Sequence, residues 1–278
     1  MKASDYCYEC LQKLANQAAE LATNSERAKA RAVEDGLKIL NDDFSTDCVS
    51  IVVATKIHDA VKKITGNPDP YRRMKDKEIA LAGELSKQIK VEPDNFRSCL
   101  RFAALGNTID FFRPLDVIRQ DIKEPVNFVI DDSGRFKAKL KHAKKVLYLA
   151  DNAGEVFFDI PFIRWMRRRA SVTYVVKSAP VQDDVTVEDI RRAGLEAELG
   201  EIITTGTATP GIDFSQVSAE FIREFNSADL ILAKGMGYYE SLSELPAEGK
   251  VFYCLRAKCQ PVADALKVPL NSYVAMLR

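Results

Sequence analysis

The sequence predicts an α/β protein, with a doubly wound, mainly parallel sheet as its core and an all-helical bundle before it. Three observations predict this. From residue 145 onward, short apolar runs alternate with helical patterns, the rhythm of strand–helix–strand crossovers in a parallel sheet. Residues 1–125 carry apolar side chains at helical spacing, with no strand pattern and no internal repeat. Residues 146–150 are apolar almost throughout and stop abruptly at Asp151-Asn152-Ala153-Gly154-Glu155. Such a run reads as a strand buried on both faces. The expected organisation is a helical domain over 1–125 and an α/β domain over 126–278.

Leu11, Leu14, Ala15, Ala18, Leu21 and Ala22 mark a first helix. A second spans roughly 25–40, where Ser25 and Ala28 give only a weak cap because the third helical residue is not Glu or Gln. A third covers about 47–64. Gly66, Pro68 and Pro70 then force a turn, and a helix resumes near Tyr71. Pro93 and Asp94 open another helix through Phe96, Leu100, Phe102 and Ala103, stopping at Gly106-Asn107. Asn107 and Asp110 lie among Leu105, Ile109, Phe111 and Phe112, so they must be satisfied if buried. They read equally as helix caps and as site-facing groups. Residues 114–144 read as a connector, with Asp131-Asp132-Ser133-Gly134 as a turn or hairpin tip.

Beyond it, strands are expected at 146–150, 172–176, 201–204, 230–233, 251–255 and 273–277, with helices at 156–169, 185–192, 215–225, 238–245 and 261–266. Arg164, Arg167, Arg168 and Arg169 fall at a helix end, where they complement the dipole on a solvated face.

Composition excludes several classes. Forty basic residues balance forty acidic ones, so no global field favours nucleic acid or an anionic membrane. No apolar run approaches the roughly 20 residues that span a bilayer, and MKASDYCYECLQK lacks the apolar centre of a secretory signal. A cytoplasmic location is expected. The six cysteines are then expected to be reduced. Cys7-x-x-Cys10 is either a pair of half-buried thiols or part of a metal or redox site with Cys48, Cys99 or Cys259. The two histidines, His58 and His142, do not readily complete a zinc site.

Three expected strand ends carry polar clusters, and ligands bind outside the carboxyl ends of strands in open α/β sheets. The first cluster is Asp151, Asn152 and Glu155; the second includes Asp183, Asp184, Thr186 and Asp189; the third is Lys234-Gly235-Met236-Gly237. Oxygen donors without nearby His or Cys fit a hard divalent cation such as Mg²⁺ or Mn²⁺. A lysine beside glycines fits a phosphate, and the three together are equipment for phosphoryl transfer to water. Each piece has a plain alternative: Asp183-Asp184 as a helix cap, Lys234-Gly235 as an ordinary turn, Asn152 as a left-handed turn residue. A Walker A loop, a GxGxxG turn after the first strand and a G-x-S-x-G elbow are all missing.

These motifs together resemble the metal-dependent damage-control phosphatases, formerly the domain of unknown function 89 family, in its archaeal and bacterial branch. The resemblance covers Cys7-x-x-Cys10, Asp69-Pro70-Tyr71 with Lys75, Gly106-Asn107 with Ile109-Asp110, Asp151 to Glu155, Asp183 to Thr186, Lys234-Gly235 and Lys258-Cys259. It implies a divalent metal (Mg, Mn, Co or Ni) on Asp151, Asn152 and Asp184, and a phosphate contact from Lys234. Asp183 departs from the family's usual Asn, and Tyr239 stands near a place where some members carry Asn. The implied reaction is hydrolysis of phosphate monoesters of small metabolites, sugar phosphates or damaged phosphometabolites. Asp151, Asp184 and Lys234 would be catalytic, with the nucleophile a water or Asp151 itself. Asn107, Asp110, Glu155, Asp183, Lys234 and Gly235 would hold substrate or orient water. An S-adenosylmethionine-dependent methyltransferase is a rival reading, weakened by the missing glycine-rich turn. A non-catalytic phosphometabolite sensor is another. The sequence leaves the oligomeric state open.

Overall fold

A computed structural model describes residues 1–109, 115–246 and 248–278. Among these residues six α-helices come first: α1 (Asp5–Ala22), α2 (Glu26–Asp43), α3 (Ser50–Thr65), α4 (Arg72–Ser86), α5 (Phe96–Leu105) and α6 (Leu115–Asp121). Then follow β1 (Phe128–Asp131), α7 (Ser133–Leu140), β2 (Lys145–Leu149), α8 (Val156–Arg167), β3 (Ser171–Val176), α9 (Val187–Ala193), α10 (Glu196–Leu199) and β4 (Ile202–Thr204). The chain ends with α11 (Ala219–Ser227), β5 (Leu230–Lys234), α12 (Met236–Leu242), β6 (Val251–Arg256), α13 (Gln260–Leu266) and β7 (Tyr273–Leu277).

Local chemistry sets the boundaries. Ser25 caps α2 by accepting from the Ala28 N–H, and Asn95 caps α5 by accepting from the Arg97 and Ser98 N–H groups. Gly66, at φ +69°, stops α3.

The seven strands form one sheet in the order β1-β7-β6-β5-β2-β3-β4. All pairings are parallel except β6 with β7. From β2 the chain winds outward through β3 and β4, then returns to β5 on the other flank and winds out to β6. The order therefore reverses between β2 and β5, which makes their carboxyl ends the switch point where a crevice opens.

Helices cover both faces. One core joins α4, α5 and α8 to Val146, Tyr148, Val172, Tyr174, Leu230 and Leu232. The other joins α11, α12 and α13 to Leu147, Leu149, Val175, Ile231 and Ala233. The fold class is as the sequence predicts. The first core runs straight across residue 125, because Phe96, Phe102 and Leu105 pack with Phe158, Phe162 and Trp165. The helices with separate small cores are α1–α3, around Leu11, Leu40, Val53, Ile57, Ala18, Ala32 and Val61. The connector expected at 114–144 holds α6, a parallel edge strand and α7; Asp131-Asp132 lead from β1 into α7 rather than around a hairpin.

Candidate active site

Two loops at the switch point are stitched together through their backbones. The Ala153 N–H donates to the Asp183 carbonyl at 2.8 Å, and the Val185 N–H donates to the Asp151 carbonyl at 2.9 Å. Asn152 and Asp184 thereby form an isolated antiparallel bridge. Asn152 has φ −80° and is no left-handed turn residue. Asp183 and Asp184 do not cap α9 either: Thr186 does, in a capping box with Asp189.

A third strand end closes the arrangement. Gly235, at φ +79°, begins α12 directly after β5. A Cβ there would lie 1.8 Å from Asp151 Oδ2, so glycine is required both by the backbone and by the approaching carboxylate.

Asp151, Asn152, Asp183, Asp184, Asn107 and Gly235 line one cavity of about 680 Å³. Asn107, only 1% exposed, borders it. Its amide donates to Asp151 Oδ2 at 3.4 Å and to Glu155 Oε1 at 2.5 Å, and its carbonyl accepts from the Arg256 N–H at 3.2 Å. Asp110 lies outside the described residues.

Two expected site residues lie elsewhere. Lys234 is fully buried. Its ammonium donates to the Ala103 carbonyl at 2.8 Å, Glu155 Oε2 at 2.6 Å and Asp159 Oδ1 at 3.0 Å. Asp159 in turn accepts from the Tyr148 and Tyr174 hydroxyls. Burial alone would push the Lys234 ammonium down, but Asp159 and Glu155 outweigh it and hold its pKa above the ordinary lysine value. Lys234 therefore braces the floor of the site and does not enter the cleft as a phosphate ligand. The reason is strand parity: Leu230, Leu232 and Lys234 share a face, and the two leucines belong to the first core. Glu155, also fully buried, spends one oxygen on Asn107 and the other on Lys234, so it supports the site from behind.

The cations at the cavity come from elsewhere. Arg256 and Lys258, at the carboxyl end of β6, both line it. Arg256 also pairs with Asp121 at 3.1 Å. Lys177, at the end of β3, is buried; its ammonium lies 2.6 Å from the Gly211 carbonyl and 3.8 Å from Asp184 Oδ2. The sequence signal for Lys177 and Lys258 is the same strand-end rule that singled out Asp151.

The carboxylates of the site crowd one another. Burial, then Glu155 and Asp184, raise the Asp151 carboxyl well above its usual range, with Lys258 pulling the other way. Burial raises Asp184 to about 7 against the pull of Lys177. Asp184 Oδ2 is buried without a hydrogen-bond donor. A buried carboxylate oxygen that lies 3.8 Å from the Lys177 ammonium but accepts no hydrogen bond, beside a second crowded carboxylate, is a place for a cation. Among the described residues, no three His, Cys, Asp or Glu side chains cluster closely enough to hold one alone. The set that fits is Asp151 and Asp184 with the Asn152 amide, all oxygen donors.

A second layer fixes the Asp183–Asp184 loop. Lys75, fully buried on α4, sits 3.2 Å from Asp69 and 3.1 Å from Asp189, and Asp189 accepts from the Thr186 N–H and hydroxyl. All six cysteines are free; Cys7, Cys10 and Cys259 line the cavity, with Cys10 exposed and the other two half-buried. No described helix is long and apolar enough to cross a membrane.

The family model for the damage-control phosphatase ARMT1-like domain matches residues 3–274. A damage-control phosphatase of Pyrococcus horikoshii is 36% identical, over 97% of this chain and 96% of its own. One from Archaeoglobus fulgidus is 33% identical over 99% of each. A crystal structure of a domain of unknown function 89 protein from P. horikoshii superposes with a TM-score of 0.89 at 32% identity, over 100% of this chain and 99% of that one.

Proposed function

The chain belongs to the damage-control phosphatase ARMT1-like family, and from that membership we propose a divalent-cation-dependent phosphatase acting on small phosphorylated metabolites, sugar phosphates or damaged phosphometabolites. The observation that carries the cation is the buried Asp184 Oδ2 without a donor, on a loop bridged to Asn152. Asp151, Asn152 and Asp184 hold the ion, and their oxygen chemistry favours Mg²⁺, Mn²⁺, Co²⁺ or Ni²⁺. When bound, the ion supplies Lewis-acid polarisation of the phosphoryl group.

The rest of the work falls to the chain's own side chains. Lys258 and Arg256 neutralise the non-bridging phosphate oxygens from the β6 side of the cavity. Asn107 holds Asp151 in place through its amide. Asp183, on the cavity wall beside Asp184, takes the proton of the attacking water. Lys234 and Glu155 keep the floor rigid. The free thiols support a reducing, cytoplasmic setting, and the even charge balance supports a small-molecule partner over nucleic acid.

The test is hydrolysis of an aryl phosphate by metal-stripped protein, with Mg²⁺, Mn²⁺, Co²⁺ and Ni²⁺ restored in turn, beside Asp151→Ala. Metal-dependent release that disappears in the variant is expected. No release with any metal, despite metal binding, would turn the assignment to a sensor.

A further inference from the structure

Three of the six thiols, Cys7, Cys10 and Cys259, line the cavity, and the reaction proposed above uses none of them. Cys7 and Cys10 stand three residues apart near the start of α1, an 18-residue helix, so their side chains share a face. Cys7 is the third helical residue. Its Sγ accepts the backbone N–H of the N-cap residue Ser4 at 3.4 Å, and the Ser4 hydroxyl lies 3.7 Å from it. A sulfur at a helix N-terminus with a backbone donor has the surroundings of reactive cysteines. Cys10 opens to solvent, yet partial enclosure by the cavity, then Glu240 and Cys7, hold its thiol above the ordinary cysteine value. It therefore stays protonated near neutral pH. Burial pushes Cys254 and Cys259 up to about 12 and raises Cys99 as well, which makes those three thiols slow to react.

We propose that Cys7 and Cys10 form a reversible oxidation site for hydroperoxides, with Cys7 as the attacking sulfur and Cys10 as the resolving one. The Cys7 thiolate attacks the terminal peroxide oxygen. An S–O bond forms and the O–O bond breaks. The sulfur gives up two electrons, and the departing hydroxide or alkoxide takes the proton that the Cys7 thiol released, leaving a sulfenic acid. The Cys10 thiol then attacks the Cys7 sulfur. The S–S bond forms, the S–O bond breaks, and hydroxide leaves with the Cys10 proton as water. The helix makes the product labile. Cβ atoms three residues apart on a helix are about 5–6 Å apart, whereas a disulfide holds them at about 3.5–4.5 Å. Closing the bond opens the first turns of α1 and takes Cys7 off the Ser4 N–H. A bond closed against that resistance is readily reduced, as regulatory disulfides are. The same turns carry Tyr6 and Glu9 at the cavity. The site stands whether or not the cavity hydrolyses phosphate.

The test treats the full chain with hydrogen peroxide, blocks the remaining thiols under denaturing conditions and maps the bonds by mass spectrometry. One Cys7–Cys10 disulfide should form per chain, taking the free thiols from six to four, and excess reduced glutathione should reverse it. Cys10→Ser should stop at a Cys7 sulfenic acid, captured by dimedone. Cys7→Ser should slow oxidation of Cys10 about tenfold or more, and Cys259→Ser should match the parent. No thiol loss under peroxide that oxidises free glutathione, a bond from Cys7 or Cys10 to Cys259 instead, or a Cys7–Cys10 bond that glutathione leaves intact would each overturn the proposal.

Discussion

Replacing Lys234 by methionine separates two roles for that residue. Methionine keeps most of the volume and removes the charge. In the structure the ammonium is enclosed by Glu155, Asp159 and the Ala103 carbonyl, with no exposure. Two carboxylates then remain buried with no cation between them, and breaking such a pair costs about 3–5 kcal/mol. At roughly 2–4 °C per kcal/mol for large domains, Tm should fall by about 6–20 °C. Glu155→Gln and Asp159→Asn added to the variant should restore at least half of the loss, because they remove the unpaired charges. The assay is thermal and urea unfolding of the parent, the single variant and the triple variant, with kcat and KM measured below the transition. A Lys234→Met protein that melts within ~2 °C of the parent and shows only a raised KM would refute the reasoning and return Lys234 to the phosphate.

Three more outcomes are expected. His58 is buried with neither ring nitrogen hydrogen-bonded, and burial followed by Lys62 pulls it down to about 3. The unfolded chain therefore takes up a proton below about 6.5 that the folded chain refuses, and stability falls as pH drops towards about 3, by up to ~1.4 kcal/mol per unit. His58→Phe should flatten that limb between pH 7 and 5 in urea titrations; an unchanged slope refutes it. Gly235→Ala drives a methyl into Asp151 and should cost on the order of 100-fold in turnover, whereas parent-like kinetics would show that the two do not approach so closely. Lys75→Met releases the Asp189 and Thr186 brace and should weaken Mn²⁺ binding roughly 10–100-fold, which calorimetry reads directly; unchanged affinity refutes the brace.

Much of this was legible in the chain. The alternation after residue 145 yields β2 to β7, most plainly β2 and β5, because strands buried on both faces are continuous apolar runs. β1 escaped because it is a four-residue edge strand, alternately half-buried and exposed, that ends in Asp131. The helical run over 1–125 was visible, but which helices share the sheet's core was not; α5 joins it through Phe96 and Phe102, a matter of tertiary packing. That Asp151, Asn152 and Asp184 meet at one cavity was readable from their strand ends. Lys234 was misread because the strand-end rule locates a residue along the strand and says nothing of its face. Counting from Leu230 and Leu232 by twos would have placed it in the core. Lys258 enters only as part of a motif, and Lys177 falls just past the strand expected at 172–176.

The most direct measurement is an anomalous-difference map from a crystal grown with Mn²⁺, at a wavelength where manganese scatters anomalously. The account predicts one strong peak bounded by Asp151, Asn152 and Asp184, in the cavity lined by Lys258. A peak at Cys7, Cys10 and Cys259, with none between the two aspartates, would contradict it.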